Sequence, residues 1–72
     1  MKRSDYLKLC VSAAMLTYHK PKVLYDGIEY YPEGYEMHFD KSGKAIHTAI
    51  LRDTAKKNCL MYCALKKVEE RT

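Results

Sequence analysis

An alternating pattern that changes phase at Pro32-Glu33-Gly34 restricts the fold of this sequence more than any other feature. Before this tripeptide the inward apolar side chains occupy even positions, as at Tyr30, and after it they occupy odd positions, as at Tyr35, Met37 and Phe39. Side chains of a strand point alternately to its two faces, so one extra residue is needed to keep both halves facing the same core. Proline cannot donate to a ladder and glycine tolerates unusual dihedral angles. The pattern therefore predicts a bulge or sharp bend in a strongly curled sheet.

The dipeptide Asp26-Gly27 lies between two apolar and aromatic runs, which is a strong short-range signal for a β-hairpin. A two-residue turn at this point pairs Tyr25 with Ile28 and Val23 with Tyr30, and these four side chains share the inward face. The outward face is then formed by Leu24, Glu29 and Tyr31.

A second turn is predicted at residues 40–43, where Gly43 suits a left-handed position. We expect Phe39 opposite Lys44, which places Met37 opposite Ile46 and Tyr35 opposite Thr48. On this register the inward side chains of the next strand are Ile46, Thr48 and Ile50. Its outward side chains are His47, Ala49 and Leu51.

The N-terminal segment is predicted to be a helix over about residues 4–18. Ser4 is a good helix cap and Asp5 suits the first turn. Apolar residues from Tyr6 onward recur at helical spacing, and Pro21 disfavours helical geometry just before it. The apolar stripe of this helix is narrow and must pack on the sheet, because a helix this short is not stable alone.

The segment after Asp53 fits two structures. In the first, a C-terminal helix lies behind a three-stranded sheet, and one face of this helix is lined by Leu60, Met61, Ala64, Leu65 and Val68. Alternatively, residues 59–65 form a fourth strand that covers an open sheet edge, followed by a turn and a short edge strand. In either case the fold class is α+β. We expect one domain over residues 1–72, with a β-rich body over about residues 22–69 and, on the second reading, a bent antiparallel sheet of four to five strands.

Length and cysteine content indicate one small intracellular domain. A chain of 72 residues buries only about 60% of its unfolded surface, which suits one domain. Its longest uncharged apolar stretch, residues 9–18, is far shorter than the roughly 20 residues a membrane span needs. Cys10, Cys59 and Cys63 are an odd number and lie in apolar runs, so we expect reduced core thiols. These features predict a cytoplasmic protein with no membrane association.

The sequence between residues 22 and 69 resembles small uncharacterised proteins encoded by prophages and integrative elements of Gram-positive bacteria. The residues that carry this resemblance are VLYDG (23–27), EYYP (29–32) and HTAILRD (47–53), with Asn58 before an apolar run that ends in Leu65 and Val68-Glu69. The resemblance covers about two-thirds of the chain. It implies an SH3-like barrel in which residues 59–65 are a strand, and it implies no catalytic residue.

Four side chains are candidates for a metal site. Cys59, Cys63, His38 and His47 supply two thiolates and two imidazoles, enough for a tetrahedral zinc ion. On the predicted register the two histidines share an outward face, whereas the cysteines lie on a different strand with their thiols buried. The pattern favours exposed histidines and core thiols over a metal site. Since the sequence also has no Gly-rich phosphate loop and no nucleophile elbow, we expect neither an enzyme nor a cofactor.

Charge divides the chain into an acidic and a basic part. Residues 23–40 contain five acidic residues and no lysine or arginine, although the whole chain has a net charge of +4. Tyrosine beside acidic residues is a suitable composition for binding a protein partner or a second copy of the chain. The sequence therefore predicts a non-enzymatic accessory protein, as of a phage or mobile element, that acts by protein binding. The predicted interface is formed by Leu24, Glu29, Tyr31 and Glu33.

Nucleic-acid binding is the alternative function. Small SH3-like barrels often bind nucleic acids, and the basic part of the chain supplies cations for phosphate contacts. The residues predicted to make these contacts are Lys41, Lys44, Arg52, Lys56 and Lys57.

Overall fold

The computed structural model describes residues 1–15, 21–56 and 58–71, and these form a helix followed by a five-stranded antiparallel sheet. Helix α1 spans Arg3–Met15. The strands are β1 (Val23–Tyr25), β2 (Ile28–Phe39), β3 (Ala45–Asp53), β4 (Leu60–Ala64) and β5 (Glu69–Glu70), and a 3₁₀ helix, Leu65–Lys67, precedes β5. The strand order is β4-β3-β2-β1-β5, and the sheet does not close into a barrel. The predicted α+β class, with an N-terminal helix and a bent sheet, is confirmed.

The first hairpin has the predicted register. Tyr25 lies opposite Ile28, and Val23 lies opposite Tyr30. Asp26 and Gly27 both have positive φ angles, 53° and 77°. Two consecutive residues of this kind form the turn whose twist matches that of the flanking strands, which explains the preference for Asp-Gly here.

The predicted irregularity in β2 is also present. Pro32 lies opposite Leu51 and Gly34 lies opposite Ile50, so Glu33 is an extra residue between two adjacent pairs. Such a bulge bends the strand and increases its local twist. It also moves the inward side chains of β2 from even to odd positions, which lets one long strand line a curved core.

The register between β2 and β3 differs by one residue from the predicted register. Phe39 lies opposite Ala45 rather than Lys44, because the Asp40 backbone N–H donates to the Lys44 carbonyl at 3.0 Å and so extends the ladder into the turn. The Asp40 carboxylate accepts hydrogen bonds from the backbone N–H groups of Ser42 and Lys44, both at 2.9 Å. These bonds hold residues 41–43 as a three-residue turn in which Gly43 has a φ of 84°.

This shift reverses the predicted faces of β3, since a slip of one residue turns every side chain over. Ala49 and Leu51, predicted to face outward, are fully buried. Ile46 is 37% exposed and Ile50 is half-buried, so the prediction that they face the core is wrong. We call the face with Ala49 and Leu51 the inner face, and the face with Ile50 the outer face.

Helix α1 packs on the inner face through Tyr6, with Leu9 and Cys10 beside it. The helix begins earlier than predicted, because the Tyr6 N–H already donates to the Lys2 carbonyl at 3.0 Å; Ser4 is therefore not its cap. The predicted helical residues 16–18 lie outside the described residues. The buried core consists of Tyr6, Val23, Ala49, Leu51, Cys63, Leu65 and Val68.

The ambiguous C-terminal segment forms strand β4, so the alternative with a three-stranded sheet and a C-terminal helix is wrong. Leu60 lies opposite Arg52, and Ala64 lies opposite Thr48. The Asp53 carboxylate accepts the backbone N–H groups of Ala55 and Lys56, at 2.7 and 2.8 Å, which turns the chain back toward β3. The expected short edge strand is β5, and it pairs with β1.

Candidate protein-binding site

The predicted protein interface lies largely on the outer face of β1 and β2, and its acidic side chains are already paired. Leu24 lies directly opposite Glu29, and Glu29 forms an ion pair with Arg71. At the bulge, the Arg52 guanidinium donates two hydrogen bonds to the two carboxylate oxygens of Glu33, both at 2.9 Å. Leu51, also expected on this face, is buried in the core.

Tyr31, the aromatic member of this interface, is half-buried, and the Nζ atom of Lys22 lies 5.7 Å from its ring centre. The cation therefore occupies a position over one face of the ring. A partner at this surface would have to displace Lys22 and compete with two ion pairs. The predicted residues do lie together, but the carboxylates of Glu29 and Glu33 and the ring of Tyr31 already have partners within the chain.

The cations predicted to contact nucleic acid lie at the two ends of β3. Lys41 and Lys44 belong to the turn that precedes this strand, whereas Arg52 and Lys56 lie at its far end. A strand of nine residues separates the two ends by about 30 Å. Lys57 lies outside the described residues. The structure thus gives two separate basic ends, and Arg52 at one of them is paired with Glu33.

The histidines do not share a face, contrary to the prediction. His38 lies opposite Ile46 and His47 lies opposite Met37, so the shifted register turns them to opposite sides of the hairpin. Cys63 is buried, and burial raises the pKa of its thiol. Cys59 is exposed, not buried as predicted. Within the described part of the chain, no three His, Cys, Asp or Glu side chains come together at a metal-binding distance.

His47 instead pairs with Tyr35 on the inner face. The Tyr35 hydroxyl is hydrogen-bonded to Nδ1 of His47, and the two rings stack with their centres 5.9 Å apart. Both side chains are half-buried. This pair was not anticipated from the sequence, because it depends on the register that Asp40 sets.

Strand β4 presents an apolar edge. It lies at one side of the sheet and pairs only with β3 among the described residues. Its sequence, LMYCA, contains no charged residue and no proline. Leu60 is 45% and Tyr62 58% exposed on the outer face. Natural sheets usually protect an edge with charges, proline or bulges, and none of these devices is present within β4. We call this free side of residues 60–64 the β4 edge.

A basic groove of about 600 Å³ lies beyond the last residue pair of β3 and β4. Its walls come from the start of α1, the first half of β3, and the chain where β4 becomes the 3₁₀ helix. Arg3, Lys44 and Lys66 supply its cations, and Asp40 is the acidic residue among its lining. Its volume is in the range of sites that bind small molecules or peptide segments.

Comparison with protein families, curated proteins and solved structures gave no match for this chain. Within the described residues, helix α1 is too short and too polar to cross a membrane. The candidate sites therefore rest on the geometry of the chain itself, and within the described residues the β4 edge pairs with no strand other than β3.

Proposed function

We propose that this chain is a non-enzymatic protein-binding module that accepts a strand of a partner protein at the β4 edge. The observation that carries the proposal is the uncharged, unprotected edge formed by Leu60–Ala64. On the resemblance to prophage and integrative-element proteins, the partner would be a protein of such an element or of its host. The SH3-like assignment belongs to the same proposal. A bent five-stranded sheet whose first and last strands pair is consistent with it.

The backbone of β4 offers hydrogen-bonding groups on its free side. The Asp53 N–H donates to the Cys59 carbonyl, so odd-numbered residues of β4 turn their backbone groups toward β3. Leu60, Tyr62 and Ala64 consequently turn theirs away from the sheet. An added strand can pair with these groups, while Leu60 and Tyr62 supply apolar contacts on the outer face.

A second copy of the chain is the first partner to test. Antiparallel self-pairing centred on Tyr62 places Leu60 of one chain opposite Ala64 of the other, and each chain contributes the same surface. No like charges then meet within the paired residues, because β4 carries none. Self-association is measured by sedimentation equilibrium over a wide range of protein concentration.

The decisive variant is Tyr62→Pro. It removes an N–H that points away from β3, so the β3–β4 ladder keeps its bonds while the edge loses a donor. Phe39→Ala is a matched control, since Phe39 is a 65% exposed aromatic residue on a different hairpin. We expect Tyr62→Pro to abolish self-association or cross-linked capture of a partner, and Phe39→Ala to leave both unchanged. Equal binding by the wild-type protein and the two variants would exclude the β4 edge as the binding site.

Nucleic-acid binding remains a second proposal, supported by the net charge of +4. It predicts binding to random DNA or RNA that weakens as salt rises and is lost on changing Lys56 and Lys57 to Glu. The described cations lie at the two separate ends of β3, and this separation disfavours continuous contact of one phosphate backbone with all of them. Absence of binding even at low salt would eliminate this proposal.

A further inference from the structure

The basic groove exists because β3 is longer than β4. β3 has nine residues and β4 has five, and their pairing ends at Thr48 and Ala64. Beyond this pair the chain turns into the 3₁₀ helix, and the first residues of β3 have no strand partner on this side among the described residues. The groove therefore continues the line of β4 alongside β3.

The backbone of Ala45 faces this groove. Odd-numbered residues of β3 turn their N–H and carbonyl groups toward β4, as the bond from Asp53 to Cys59 shows. Ala45 has the same orientation but lies three residues beyond the last pair with β4. Its backbone donor and acceptor are thus placed to pair with an extended segment lying in the groove.

The charges of the groove favour an anionic ligand. Arg3, Lys44 and Lys66 line it, and within the described residues neither of the two ion pairs found includes any of them. Asp40 is the acidic residue among the described lining residues, and its carboxylate already accepts hydrogen bonds within the turn. Its carboxylate accepts the Ser42 hydroxyl at 2.6 Å in addition to the two backbone N–H groups. The bonds from Ser42 and Lys44 lower the pKa of Asp40.

The remaining lining includes His47 and is otherwise mainly apolar, coming from Met1, Ala45, Ile46, Ala64 and Leu65. The α-amino group of Met1 fixes this wall, because it donates to the carbonyls of Leu65 and Val68, at 3.2 and 2.9 Å. An apolar floor between cations suits side chains of alternating character, acidic and aliphatic, on an extended backbone.

We propose that the basic groove binds an extended acidic segment of another protein, which pairs with Ala45 and places its carboxylates near Arg3, Lys44 and Lys66. This proposal concerns a different surface from the β4 edge and does not depend on it. A nucleic-acid strand fits less well, because bases bind by stacking on aromatic faces. The aromatic lining residue is His47, and its ring already stacks on Tyr35.

The test uses a fluorescent synthetic peptide of alternating glutamate and valine, with fluorescence anisotropy as the readout. A lysine–valine peptide and an oligothymidine strand are the comparison ligands. We expect the acidic peptide to bind most tightly, and Lys44→Glu combined with Lys66→Glu to weaken it at least about tenfold. The matched control combines Lys41→Glu with Lys67→Glu, which makes the same change in charge at neighbouring lysines that do not line the groove.

Three results would overturn the proposal. They are tighter binding of the oligothymidine, no binding of the acidic peptide by the folded protein, and equal weakening in both double variants, which would indicate only long-range attraction.

Methylation of alternate backbone nitrogens of the peptide tests the strand pairing separately. It leaves the peptide charge unchanged and is expected to weaken binding about tenfold in one of its two alternation phases. Equal affinity of both methylated peptides and the parent would exclude pairing with Ala45. Circular dichroism verifies that each variant is folded.

Discussion

The hydroxyl of Tyr6, on the helix, donates a hydrogen bond of 2.9 Å to the backbone carbonyl of Ile50, opposite the bulge in β2. Tyr6 is fully buried. A bulge interrupts the regular ladder, and a buried backbone group left without a partner costs free energy. One side chain of α1 therefore binds the backbone of β3 at the point where its pairing with β2 is irregular.

Tyr6→Phe removes this bond while keeping the ring. We expect the free energy of unfolding to fall by about 1–3 kcal/mol, because the half-buried Ile50 carbonyl loses a donor. Urea denaturation measures the change. Tyr62→Phe is the control, since Tyr62 is 58% exposed, and it is expected to change stability by less than about 0.5 kcal/mol. Equal effects of the two substitutions would contradict a special role of Tyr6.

Stability should decrease at alkaline pH because of the same residue. Burial is the main cause that raises the pKa of Tyr6 far above its ordinary value of 10.0, and Cys10 adds to the shift. Above pH 10 the unfolded chain releases this proton while the folded chain keeps it. The free energy of unfolding should then fall by about 1.4 kcal/mol per pH unit from this residue.

The comparison with Tyr6→Phe isolates that contribution. Burial also raises the pKa values of Cys10 and Cys63 above 9.0, and they act in the same direction from about pH 9 in both proteins. The wild-type and Tyr6→Phe curves of stability against pH should therefore converge above pH 10. Parallel curves throughout would show that Tyr6 ionises equally in both states.

The register of β3 is tested by truncating two of its apolar residues. Leu51 is fully buried, whereas Ile46 is 37% exposed. We expect Leu51→Ala to cost about 2–5 kcal/mol and Ile46→Ala less than about 1 kcal/mol, as measured by urea denaturation. The register one residue shorter, with Phe39 opposite Lys44, requires the reverse order of effects.

Thiol reactivity should separate the three cysteines. Cys59 is exposed, Cys10 is half-buried and Cys63 is buried, and reaction needs an accessible thiolate. In the native protein a chromogenic disulfide reagent should modify Cys59 rapidly and Cys63 only as the chain unfolds. Cys59→Ser should abolish the rapid phase. Persistence of that phase would mean that another thiol is accessible.

Some parts of this fold could be predicted because adjacent residues determine them. The Asp26-Gly27 turn correctly predicts the pairing of β1 with β2, and the phase change around Glu33 correctly predicts the bulge in β2. Both are patterns of adjacent residues. The β3 register could not be obtained in the same way. It depends on the side chain of Asp40, which binds Ser42 and Lys44 and shifts the pairing of β2 with β3 by one residue. Periodicity alone does not reveal that bond.

The candidate surfaces were partly predictable. Leu24 and Glu29 were correctly placed as neighbours, but the ion pair of Glu29 with Arg71 joins residues far apart in the sequence. The basic groove was missed, because its cations come from α1, the β2–β3 turn and the 3₁₀ helix. It arises from the unequal lengths of β3 and β4, which depend on where the chain leaves the sheet.

The pairing of β1 with β5 makes the sheet unequal in its resistance to local opening. β5 has two residues, and within the described chain its ladder partners are Val23 and Leu24, whereas β3 is paired along both sides for much of its length. Segments with few contacts exchange their amide hydrogens through small fluctuations that leave the rest of the fold intact. The amide hydrogens of β5 should therefore exchange with solvent long before those of β3. Detachment of β5 should then be the first step in the unfolding of this protein.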